Sequence, residues 1–251
     1  MKIIILAAGQ GTRLRPYTNN KPKCMVELNG KPLLHYQLEV MQQLDISKSD
    51  IAIAAGYLKD KIEAQGIEIF PNPRFAETNM VETLFCVEEY MLDGEDLIIA
   101  YGDIIYEAGV LEKLLNTNGD IVVVADLEWQ KLWSLRMENP LDDAETFKLN
   151  DQGFIKELGK KPQSLNDVEG QFIGLIKVDS KKVRAFKTFY HNLDKSKMYD
   201  GKNFDNMYMT TFLQLLIDAK WNMKPAFIKN DWLEVDTADE LVIYEKLGLF
   251  K

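Results

Sequence analysis

Short runs of aliphatic residues alternate along the chain with segments whose apolar positions recur at helical spacing. Lys2–Leu6 (KIIIL), Asp50–Ala55, Asp96–Ala100 (DLIIA), Ile121–Ala125, Gln171–Val178 and Lys224–Ile228 read as strands. Glu68–Phe70 reads as a short strand closed by Pro71 and Pro73. Between them, Leu33–Leu44 follows Pro32 as an amphipathic helix. Thr78–Leu92 carries Met80, Leu84, Val87 and Met91 at helical spacing, with Asn79 and Glu82 placed for a capping box. Glu107–Leu115, the stretch from Ser180, Leu213–Lys220 and Ala238–Leu247 are further helical segments. Strands apolar on both sides, alternating with helices, predict a Rossmann-like three-layer α/β fold with a mixed, mostly parallel sheet.

Composition narrows this picture. The chain has 251 residues, 46% of them apolar, enough for one large core, and is read as a single domain over 1–251 whose halves meet near residue 115. Thirty Lys and Arg against 39 Asp and Glu leave a net charge of −9, which argues against binding to nucleic acid or anionic lipid. No run approaches the ~18 to 20 apolar residues of a membrane span. Two cysteines, Cys24 and Cys86, make no disulfide framework, and the first strand leaves no room for a signal peptide, so a reducing cytoplasm is expected. His35 and His191 have no ligand-spaced partners, and His191–Asn206 is the one long polar stretch, expected as a mobile connector. Monomer and oligomer both stay open.

Candidate chemistry starts at Leu6–Pro16, LAAGQGTRLRP. Ala7, Ala8, Gly9 and Gly11 let backbone N–H groups approach an anion, and Arg13, Arg15, Lys21 and Lys23 follow as four cations within eleven residues. The loop is not a Walker A sequence, since no GK[ST] follows, nor a GxGxxG, since Leu14 replaces the third glycine. Asp103 follows a wholly apolar strand through Tyr101 and Gly102; it is placed to ligate a metal or to cap the next helix. In WLEVDTADEL, Glu234 and Asp236 alternate along an extended segment and share a side, while Asp236 or Thr237 could cap the last helix with Glu240 completing a box.

The ordered string from Leu6 to Leu34, LAAGQGTRLRPYT followed by NKPKCMVELNGKPLL, resembles the nucleotidyltransferases that make nucleoside diphosphate sugars and CDP-alcohols. The resemblance implies the nucleotide-diphospho-sugar transferase fold, with a nucleotide half over about 1–115 and an acceptor half over about 116–251. It places Leu6, Ala7, Ala8, Gly9, Gly11, Thr12, Arg13, Lys23, Gly56, Asn79, Thr83, Tyr101 and Gly102 around an NTP. Arg13 would hold the leaving phosphates and Lys23 the α-phosphate and the attacking group. Asp103 and Asp236, with Glu234 as a secondary candidate, would hold Mg²⁺.

Asn72–Phe85 (NPRFAETNMVETLF) and Ile53–Asp60 (IAAGYLKD) are more similar to the short choline-phosphate and aminoethylphosphonate cytidylyltransferases, which implies CTP as donor and a small phosphorylated alcohol or phosphonate as acceptor. Asn79 then either reads the base edge or caps its helix. Trp133, beside Trp129, Arg136, Lys160, Gly174 and Tyr208 are the acceptor-side candidates, the tryptophans having core packing as their alternative. Thr210 stands where choline-type relatives carry an acid, and Arg136 adds a positive charge near Trp133, so choline itself is doubtful. A sugar-1-phosphate nucleotidyltransferase is the rival reading, and a non-catalytic nucleotide-sensing or interaction module the rival from another class.

Overall fold

The computed structural model describes residues 1–250. Seven strands form its central sheet: β1 Lys2–Ala7, β2 Ile51–Ala55, β3 Glu68–Pro71, β4 Leu97–Tyr101, β5 Ile121–Asp126, β6 Gln171–Val178 and β7 Met223–Ile228. They lie in the order β7-β5-β6-β4-β1-β2-β3. Every neighbouring pair is parallel except the two that β6 makes, with β4 and β5. The expected mixed, mostly parallel sheet is therefore present, with one reversed strand joining the halves of the chain.

Successive residues of β1 face opposite ways, so Ile3 and Ile5 enter one apolar cluster while Ile4 and Leu6 enter the other. Helices α1 (Leu33–Gln43), α3 (Ala108–Asn116), α4 (Trp129–Arg136) and α7 (Ala238–Leu247) cover the first face. Helices α2 (Met80–Phe85), α5 (Val183–His191) and α6 (Met209–Asp218) cover the second. None is long and apolar enough to cross a membrane.

Three expectations need correction. The helix expected over 78–92 stops at Phe85 and continues as a 3-10 turn at Glu88–Tyr90; the tighter turns still bury Leu84, Val87 and Met91. Its capping box does not form, because the Glu82 carboxylate accepts instead from the Tyr190 hydroxyl at 2.7 Å. The stretch 191–206 is no loose connector: it carries a small hairpin, Met198–Tyr199 with Lys202–Asn203, and buries Tyr199 and Phe204 against the second core.

Candidate active site

The site is built at the carboxyl ends of β1, β2 and β4, where β1 lies between its two parallel neighbours. The backbone of Gly102 donates to Leu6 O at 2.9 Å and that of Tyr57 to Ala8 O at 3.2 Å, so the loops after β4 and β2 pin the glycine loop from both sides. Gly56 acts by clearance: a Cβ there would stand 2.4 Å from Phe75 Cβ. Phe75 in turn lines a cavity of about 170 Å³ together with Leu6, Ala7, Ala8, Gly9, Lys23, Asn79, Thr83, Tyr101, Gly102 and Asp103. Gly11, Thr12, Arg13 and Gly56, also expected at the nucleotide, lie outside this lining. Asn79 combines both of its alternatives, since its side chain accepts from Met80 N at 2.8 Å as the cap of α2 while the residue lines the cavity.

The acids meet because of a second, short pairing. Trp232–Glu234 runs antiparallel to Ile104–Tyr106 with Glu234 opposite Ile104, and Val235 N donates to Asp103 O at 3.0 Å. One carboxylate oxygen from each of Asp103, Glu234 and Asp236 therefore falls within 4.8 Å of the others. Lys23 sits between two of them, its Nζ donating to Asp103 Oδ2 at 2.6 Å and to Asp236 Oδ1. Burial opposes the charge on Lys23, yet Asp103, Asp236 and Glu234 outweigh it and hold the ammonium above its ordinary pKa. Burial likewise opposes ionisation of Asp236, but Lys23, Arg13 and Arg136 pull its carboxyl below the usual range. Arg13 reaches the same residue, Nη2 to Asp236 Oδ2 at 2.9 Å, with most of its side chain in solvent.

Neither acid is spent on a helix end. Glu107, not Asp103, stands at the N-cap of α3, and Thr237 caps α7 in a box with Glu240. Asp103 Oδ1 is buried without a hydrogen-bond partner among the described residues. A partnerless carboxylate oxygen beside a second carboxylate is a donor set suited to Mg²⁺, which takes oxygen ligands and keeps several waters. Glu234 fits less well, because its Oε2 accepts from Arg136 Nη1 at 2.8 Å.

A second cavity, about 190 Å³, adjoins the first and shares Met80 and Tyr101 with it. Each is smaller than the ~300–1,000 Å³ of a whole ligand site, which suits a site divided between two substrates. Trp133, Gly174 and Tyr208 line this second lobe, as do Glu234 and Asp236. Gly174 has φ +84° at a bulge where β6 loses register with β5, and a Cβ there would stand 2.4 Å from the Tyr101 ring. The glycine thus admits the tyrosine that separates the lobes.

Three acceptor-side candidates sit elsewhere. Trp129 is core, packed edge-on to Trp133 and 1% exposed. Lys160 Nζ turns to Glu157 at 3.1 Å, and its backbone N donates to Thr146 Oγ1. Arg136 lies behind the lobe, its side chain 2% exposed, held by Glu234 and by Glu240 at 2.7 Å. Sequence reasoning missed Phe75, Glu145 and Gln171, all cavity-lining. Glu145 and Gln171 have no motif around them; Phe75 could have been suspected from the glycine at 56 only with the fold in hand.

Comparison with known proteins identifies the family. Residues 3–158 match the family described as MobA-like NTP transferase domain. The chain is 42% identical to the CTP:phosphoglutamine cytidylyltransferase of Campylobacter jejuni, over 97% of this chain and 98% of that one. It is 41% identical to the choline-phosphate cytidylyltransferase of Streptococcus pneumoniae over 39% of this chain and 46% of the relative. A solved structure of the CTP:phosphocholine cytidylyltransferase from Streptococcus pneumoniae superposes with a TM-score of 0.71 at 21% identity, covering 98% of each chain. With a glycine loop at the carboxyl end of its first strand, a lysine between two acids and a family match over more than half its length, the chain belongs to the MobA-like NTP transferases and is a nucleotidyltransferase.

Proposed function

We propose that the protein transfers the cytidylyl group of CTP to a phosphoryl oxygen of a small phosphorylated acceptor of the phosphoglutamine kind, releasing pyrophosphate. The observation that carries this reading is the seam between the two lobes: Asp103 belongs to the first, Asp236 to the second, and Lys23 bonds to both. Two substrates placed in the two lobes meet there. Identity to the phosphoglutamine enzyme extends over nearly the whole chain, acceptor half included.

The acceptor's phosphoryl oxygen is already an anion at neutral pH, so attack on the α-phosphorus needs no general base. The barrier is repulsion between anions, and the chain answers it with positioning and positive charge. The loop residues Ala7, Ala8 and Gly9 line the first lobe, and Lys23 supplies its ammonium at the point where attacking and departing oxygens would gather. Arg13, mostly in solvent, is free to swing from Asp236 onto the leaving pyrophosphate. Asp103 and Asp236 would hold Mg²⁺, which would neutralise phosphate charge at the same seam.

A matrix of the four NTPs against phosphoglutamine, phosphocholine, 2-aminoethylphosphonate and glucose 1-phosphate, read by pyrophosphate release, tests this. CTP with one of the first three is the expected productive pair. Fastest release from glucose 1-phosphate with another NTP would replace the reading by a sugar-1-phosphate enzyme. No release from any pair would favour a non-catalytic module.

A further inference from the structure

The acceptor lobe contains a carboxylate that the chain itself leaves uncompensated. Four acids line that lobe, and no Lys, Arg or His does. Asp236 is paired with Lys23 and Arg13, Glu234 with Arg136, and the half-exposed Asp143 lies 3.9 Å from Arg136. Glu145 has no cation within 4.0 Å among the described residues, and Thr210 lines the lobe beside it. Glu145 is partly withdrawn from solvent, and a carboxylate in that position without a counter-charge is destabilised unless a ligand supplies one.

The residue is also held in place. Glu145 N donates to Gln171 Oε1 at 3.4 Å, and the next residue is fixed by Thr146 N to Lys160 O at 2.7 Å and Gly159 N to Thr146 O at 3.0 Å. An independent observation points to a ligand in the same lobe. Trp133, 2% exposed, carries an Nε1–H with no partner, although buried tryptophan N–H groups are ordinarily bonded.

We propose that Glu145 is the subsite for a primary ammonium group on the acceptor, so that the enzyme's second substrate is a phosphorylated amine or amino acid. This rests on the lobe being the acceptor site of the transfer described above. A primary ammonium satisfies the carboxylate with charge and N–H donors together, and the Gln171 Oε1 beside it is one more acceptor. A quaternary ammonium brings charge without donors. Burial first, then Asp143, push the Glu145 carboxyl up to about 7.

The test is equilibrium binding of three probes to the full chain, followed by intrinsic tryptophan fluorescence, to which Trp133 and Trp232 of the lobe wall contribute: phosphoethanolamine, its N-acetyl derivative and phosphocholine. Wild-type protein is expected to bind phosphoethanolamine at least about tenfold more tightly than either of the others, the worth of one charge-assisted hydrogen bond. Glu145→Gln should bring the ratio of phosphoethanolamine to its N-acetyl derivative close to one. Equal binding of the three by wild-type protein, including no binding, overturns the subsite without recourse to any variant. So does a ratio that survives in Glu145→Gln. Pyrophosphate release from CTP, read in parallel, judges the transfer reaction separately: its absence with every acceptor sinks that reading while the binding ratio still decides the subsite.

Discussion

Arg136 Nη1 donates to Glu234 Oε2 at 2.8 Å, and this pair, its guanidinium buried, is the inner strut of the site. The same guanidinium donates through Nε to Glu240 Oε1 at 2.7 Å, and Glu240 Oε2 accepts from Asp236 N at 2.6 Å and Thr237 N at 3.0 Å. Helix α4 thereby fixes the backbone that presents Asp236. Arg136→Met would leave two carboxylates buried without their cation, and a loss of about 3 to 5 kcal/mol in urea unfolding is expected. A loss under about 1 kcal/mol, the range of a surface pair, would show that the strut carries nothing.

Lys23 predicts how the protein responds to chelation. Its ammonium already separates Asp103 from Asp236, so chelation should abolish pyrophosphate release yet leave the melting temperature of wild-type protein unchanged. Lys23→Met removes that internal cation, and added Mg²⁺ should then raise the melting temperature, with turnover lower by about 10²- to 10³-fold. Unfolding of wild-type protein by a chelator would contradict this arrangement.

Glu145 sets a pH dependence of stability. Burial first, then Asp143, raise its carboxyl from 4.5 to about 7 against the opposing Thr210 hydroxyl. Between those values the folded chain holds a proton that the unfolded chain has released, so stability present below pH 4.5 is lost as pH rises through about 7. Glu145→Gln removes the linkage and should melt higher than wild type above pH 7, the advantage vanishing below pH 4.5. Thermal unfolding without substrate at both ends reads this, and a pH-independent difference would rule it out.

Gly174 tests the wall between the lobes. Gly174→Ala adds a methyl 2.4 Å from the Tyr101 ring at φ +84°. The backbone conformation alone should cost about 1–2 kcal/mol. Because the ring must also move, Michaelis constants for both substrates are expected to rise; a change confined to one would place Tyr101 in a single lobe.

The sheet and the acids were readable where chemistry rides on strong local patterns. DLIIA delivers its strand and hence Asp103, and the string from Leu6 to Leu34 carries its own order. The reversal of β6 was not readable, since an apolar run such as Gln171–Val178 looks the same in either direction. Arg136 was placed beside Trp133 facing an acceptor because its true partners arrive from 98 and 104 residues away. Glu145 lies in a short polar stretch without periodicity, and it reaches the lobe through the pairing of Phe147–Leu149 with Ile155–Leu158 and its own backbone bond to Gln171. The mobile connector expected at 191–206 failed for a similar reason: its polar sequence hides two aromatic anchors, Tyr199 and Phe204.

Tyr101 and Met80 stand in both lobes, so the two lobes are divided by a party wall rather than by two separate ones. Whatever occupies one chamber helps to shape the other. Selectivity for the nucleotide and selectivity for the acceptor are then not independently adjustable at those two positions. Retuning the second chamber alone would instead run through side chains that only it owns, such as Glu145 and Tyr208.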